Sequence, residues 1–107
     1  MLSGLGFMYY NGNGVPKDAS KAVEWWLKSA AKGNASGQGD LAASYTEGVG
    51  VPQDNVLGYA WFNLAASQGD VQAAAARTNL EKKMTPAQIS EAQQLSSSWV
   101  KGQLLKH

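Results

Sequence analysis

Apolar side chains recur along this chain at helical rather than strand spacing. Leu5, Gly6 and Tyr9 fall at i, i+1 and i+4 and predict one face of a helix over residues 2–10. Ala22, Trp25, Trp26 and Ala30 predict a second helix over 19–32, and Leu41, Ala42 and Tyr45 a third over 35–46. A fourth is predicted over 55–68 and a fifth over 71–83, the latter opening with Val71, Ala73, Ala74 and Ala76. The sixth, over 85–101, turns Ile89, Ala92, Leu95 or Gln94, and Trp99 inward and is polar elsewhere. Nothing alternates at strand period, so the fold class is all-α.

The punctuation between these helices is explicit. Asp18, Asp54 and Thr85 are placed as N-caps, whose side-chain oxygens take up the unpaired N–H groups of a first helical turn. Thr85-Pro86 with Gln88 three residues on is a capping box with proline at the first helical position. Gly12, Gly14, Gly33, Gly48 and Gly69 supply stops. Gly37 and Gly39 fall inside the third helix, each costing about 1 kcal/mol against alanine, which predicts the weakest helix of the set. Gly58 takes the place of Ala22, a position that calls for a small residue where two helices approach closely.

The pattern is written twice. Tyr9 and Tyr45, Gly12 and Gly48, Gly14 and Gly50, Pro16 and Pro52, Asp18 and Asp54, Trp25 and Trp61, and Gly33 and Gly69 are each separated by 36 residues. A fixed period of this length belongs to a stacked array in which each unit buries its apolar face only against its neighbours. The reading is a single domain over 1–107: repeat one 1–33, repeat two 34–69, and an atypical closing helix pair 70–107. The recurrence assigns Trp25, Trp61, Tyr9 and Tyr45 to the packing between helices.

Composition narrows the function classes. Charged residues are 16% of the chain, the net charge is +1, and no basic run exceeds Lys82-Lys83, so no concentrated face for nucleic acid is predicted. There are no cysteines, which removes disulfides, thiolate metal sites and cysteine nucleophiles. No apolar run approaches the roughly 20 residues of a membrane span. No cofactor or metal is expected.

Candidate chemistry is thin. The only histidine is His107, at the end of the chain, where a general base is poorly positioned. Asp18 and Asp54 are accounted for as caps, and Glu24, Asp40, Glu47 and Glu91 do not pair at acid–base spacing. Neither Ser20 with Lys21 nor Ser29 with Lys28 has the Ser-x-x-Lys spacing of a serine acylase. Gly12-x-Gly14 and Gly48-x-Gly50 end helices rather than follow strands, so they read as turns and not as phosphate cradles. No catalytic residue is assigned.

The residues quoted resemble the Sel-1-like repeat, a relative of the tetratricopeptide repeat. The first copy matches its pattern with Leu5, Gly6, Tyr9, Gly12, Gly14, Val15, Asp18, Ala22, Trp25, Ala30 and Gly33. The second matches with Leu41, Tyr45, Gly48, Gly50, Val51, Asp54, Trp61, Ala65, Ala66 and Gly69. The resemblance implies a right-handed superhelix of antiparallel helix pairs, about two and a half repeats plus a C-terminal capping helix. It also implies a bacterial adaptor or scaffold whose concave surface binds a protein or peptide. A cysteine-rich branch described as a β-lactam-binding hydrolase supplies the alternative activity, and the absence of cysteine separates this chain from it. The other alternative is a fragment of a longer scaffold.

Helix geometry with this resemblance names a concave strip. Ala43, Thr46 and Glu47 lie opposite the inward face of the third helix; Phe7, Tyr10 and Asn11 are their counterparts in the first helix, and Asn79, Lys82 and Lys83 in the fifth. The strip is aromatic at one end and basic at the other, suiting an extended peptide with an apolar residue and an acidic end. Leu2, Leu5, Phe7 and Met8 at the start of the array predict self-association or a missing upstream segment. A chain beginning natively at Met1 predicts a cytoplasmic protein, and one that has lost an upstream export signal a periplasmic protein.

Overall fold

The computed structural model describes residues 18–105, and the predicted first helix, with Phe7, Tyr10, Asn11 and the apolar start of the array, lies outside them. Five helices follow one another: α1 (Ala19–Ala31), α2 (Ala35–Glu47), α3 (Asn55–Ser67), α4 (Val71–Glu81) and α5 (Pro86–Ser97). Among the described residues there is no strand, and the fold is an all-helical solenoid.

Each helix starts at a side-chain cap. Carboxylate oxygens of Asp18, Asp54 and Asp70 accept from the N–H groups of Lys21, Leu57 and Ala73 at 3.1, 3.0 and 3.0 Å. Asn34 does the same for Gly37 at 2.9 Å. At α5 the bonds are reciprocal, Gln88 N–H to Thr85 Oγ1 at 3.1 Å and Thr85 N–H to Gln88 Oε1 at 2.9 Å. Gly48 closes α2 in the left-handed region at φ 68°. Gly50, at φ 78°, lets the following turn press onto α1: a Cβ there would stand 2.6 Å from the Ala19 carbonyl oxygen.

The core is arranged around α3. Val56, Leu57, Tyr59, Ala60, Trp61, Phe62 and Ala65 are all buried, so this helix is covered on nearly every side. α2, α4 and α5 each pack on it, and α1 packs on α2. The two glycines predicted to weaken α2 are both buried, and Gly37 lies at its junction with α1. A Cβ at Gly37 would lie 2.6 Å from the Ser29 Cβ, so the absent side chain is what permits the helices to meet. Gly58 serves the α2–α3 junction in the same way, 3.2 Å separating its notional Cβ from the Ala42 carbonyl oxygen.

Three expectations are corrected. Trp25 is 39% exposed, whereas its repeat partner Trp61 is 1% exposed: Trp61 is covered by Trp99, and the Trp25 ring instead carries the Lys28 ammonium, 5.1 Å from its centroid. α4 stops at Glu81, because the N–H groups of Lys82, Lys83 and Met84 bond three residues back and tighten the chain into a turn. α5 stops at Ser97, where the hydroxyls of Ser96, Ser97 and Ser98 take up the carbonyls of Gln93 and Gln94. Beyond it the chain turns back to α1, and Gly102 N–H donates to the Ala31 carbonyl at 2.6 Å.

Candidate functional site

Because α2 and α4 pack on α3, they stand as two walls with a groove of about 400 Å³ between them. Ala43, Thr46 and Glu47 form the α2 wall, and Ala76, Asn79 and Leu80 the α4 wall. Phe62 of α3 is the floor, 4% exposed, and Gln53 and Asn55 close the side where the α2–α3 turn passes. Lys83 contributes from the turn after α4.

Polar bonds hold the walls in position. Gln53 Nε2 donates to the Thr46 carbonyl at 3.0 Å, which fixes the turn against the end of α2. The Tyr59 hydroxyl, on a buried residue of α3, donates to Glu81 Oε2 at the end of α4 at 3.0 Å. Arg77 of α4 donates to Asn63 Oδ1 at 2.6 Å, and Asn63 Nδ2 donates in turn to Ser96 Oγ of α5 at 2.8 Å. One amide of α3 thus joins both later helices, and the bond gives the buried Ser96 hydroxyl a partner. Burial, reinforced by the bond to Glu81, pushes the Tyr59 phenol above its usual pKa, so it stays a donor.

Of the predicted strip, Ala43, Thr46, Glu47, Asn79 and Lys83 are brought together in this groove. Lys82 is not: with α4 ending at Glu81 it is the C-cap, and helical projection no longer applies to it. Phe7, Tyr10 and Asn11 fall outside the described residues. The groove is not basic at one end only, since Glu47 and Lys83 give it one carboxylate and one ammonium. Phe62, Leu80, Ala76, Gln53 and Asn55 complete the lining without having been singled out. Ala76 stands three residues before Asn79 and was legible from helical spacing, whereas Gln53 lies in a turn that carries no period.

Ser29 and Lys32 stand at Ser-x-x-Lys spacing, a pair passed over in the sequence. Ser29 is turned against Gly37, and Lys32 is the exposed C-cap of α1. Ser29 is accounted for by helix packing. Among the described residues no cluster of His, Asp or Glu could hold a metal ion, and no helix is long and apolar enough to cross a membrane.

Comparison with known proteins places this geometry. The family model described as the Sel1 repeat matches residues 2–34 and again 35–70. A crystal structure of a protective antigen from uropathogenic Escherichia coli, displaying an SLR fold, superposes with a TM-score of 0.84 at 35% identity. It covers 86% of this chain and 20% of the antigen. A Sel1 repeat protein from Oxalobacter formigenes gives a TM-score of 0.69 at 36% identity, covering 71% of this chain and 31% of that one. The chain therefore spans less than a third of the length of either solved protein. No curated protein matches significantly.

Proposed function

Since this chain belongs to the Sel1 repeat family, we propose that it is a non-catalytic interaction module that binds an extended peptide segment of a partner protein in the groove between α2 and α4. Sel1 repeats typically mediate protein interactions, and their fold is usually non-catalytic. The observation that carries the peptide reading is the lining of the groove. Phe62 and Leu80 offer an apolar base for one side chain, while Thr46, Gln53, Asn55 and Asn79 ring it with hydroxyl and amide groups. Such groups match the alternating donors and acceptors of an extended main chain. Glu47 and Lys83 then discriminate by charge along the segment.

The test is capture from native cell extract by wild type and by an Ala43→Arg/Thr46→Glu double variant, with circular dichroism to show that the helices are kept. A partner held by wild type and released by the variant supports the groove. Equal capture by both overturns it.

A further inference from the structure

The last turns of α1 and the turn that follows it carry a second surface that shares no residue with the groove. A cavity of about 450 Å³ opens there, lined by Trp25, Lys28, Ser29, Lys32, Gly33 and Asn34. Trp25 leaves 39% of its surface exposed, although the equivalent Trp61 is buried. The stem of Lys101 extends the same surface, its Cε lying 3.6 Å from where a Gly33 Cβ would be. The cavity lining thus joins the Lys28 and Lys32 ammonium groups to the Trp25 indole with no carboxylate, and Lys101 lines the adjoining pocket that shares Lys32 and Gly33. Lys28 stands in the last turn of α1, where the partial negative charge of the carbonyl end favours a cation without neutralising it. Lys28 lies over the Trp25 ring and holds it in place, 5.1 Å from the centroid.

We propose that this face is a docking surface for an acidic segment of a partner protein, one whose carboxylates meet Lys28, Lys32 and Lys101 and whose apolar side chain rests on Trp25. Charge complementarity selects the occupant. Three cations on a chain of net charge +1 are too few to follow a nucleic-acid backbone, which needs a longer basic track. A lone indole without an apolar helical face beside it is likewise a poor anchor for a lipid surface.

The test is calorimetric titration of the whole chain with a short acetylated peptide of glutamates around a central phenylalanine. Saturable binding is expected, weakening as salt is raised. Lys28→Glu/Lys32→Glu should lower the affinity tenfold or more, Lys101→Glu alone by less, and Lys28→Arg/Lys32→Arg hardly at all. Trp25→Ala should weaken the phenylalanine peptide but not an all-glutamate control. Ala43→Arg/Thr46→Glu should leave this binding intact, so failure here is distinguishable from failure of the groove. No binding, or binding unchanged by the charge reversals, overturns the proposal. So does loss in the groove variant alone. Tighter binding to oligothymidylate or to phosphatidylserine vesicles overturns the choice of a protein partner. Circular dichroism on every variant separates loss of the site from loss of fold.

Discussion

Trp61 and Trp99 meet edge to face, their ring centroids 6.3 Å apart and their planes inclined at 71°. Trp61 sits in the middle of α3, and Trp99 lies just beyond the end of α5. The closing segment is therefore keyed into the core of the repeat before it, through the geometry that aromatic quadrupoles favour.

Trp99→Ala should destabilise the chain by about 2–4 kcal/mol, through lost burial, lost ring contact and the space left over Trp61. Trp25→Ala, at the repeat-equivalent but exposed position, should stay within about 1 kcal/mol of wild type. Urea unfolding of the two variants checks the contrast; equal losses would mean that Trp25 is covered in solution.

The pair Trp25 and Trp61 also marks how far the sequence could be read. Period and caps located the helices, since a cap is a local event between residues three apart, and Asp18, Asp54 and Thr85 act as expected. Burial is not local. Two tryptophans in the same register differ: Trp61 lies in the most enclosed helix with Trp99 against it, and Trp25 lies on a helix with fewer neighbours among the described residues. Period alone does not say what covers a position. The groove was half legible for the same reason. Ala43, Thr46 and Glu47 follow from the face of one helix, but Phe62 reaches the groove only because α2 and α4 part above it. Ser96 falls among the polar positions of its helix, and its bond to Asn63 depends on how α5 is laid across α3.

Alanine at Gly37 tests whether the glycines of α2 are packing residues. Helix propensity alone would make Gly37→Ala stabilising by about 1 kcal/mol. The added methyl group would instead overlap Ser29, so a net loss of about 1–3 kcal/mol is expected. A rise in the urea midpoint would show that α1 can move away from α2 without cost. Gly37→Ala with Ser29→Gly should recover part of the loss, because the second change removes the colliding side chain.

Alkaline pH should destabilise the fold through two phenols. Burial and then the bond to Glu81 raise the Tyr59 pKa above 10.0, and burial followed by the nearby Asp54 carboxylate raises that of Tyr45. Unfolded, each loses its proton at the ordinary value while the folded protein still holds it. The unfolded state then binds fewer protons, and stability falls as pH rises. The contribution is fully present below about pH 10 and is lost through the folded values, by at most about 1.4 kcal/mol per pH unit for each group. Tyr59→Phe should flatten this decline, as read from urea midpoints on either side of pH 10. An unchanged slope would remove Tyr59 as its source.

Lys82 and Lys83 are neighbours in sequence but differ in relation to the groove, and that difference can be turned into a measurement. Lys83 lines the groove opposite Glu47, whereas Lys82 caps α4 outside it. Both are exposed, so charge reversal at either should leave stability within about 0.5 kcal/mol. Binding should separate them. For a partner held in the groove, Lys83→Glu should change affinity by about 1 kcal/mol and alter its salt dependence, because a charge at the rim acts on encounter and register. Lys82→Glu should change it far less, since that ammonium does not face the occupant. The direction of the Lys83 effect then reports the partner: weakening means a carboxylate beside Lys83, and strengthening means a cation. Equal effects of the two reversals would point to long-range attraction rather than to contact, and would move the binding site away from the end of the groove that Lys83 occupies.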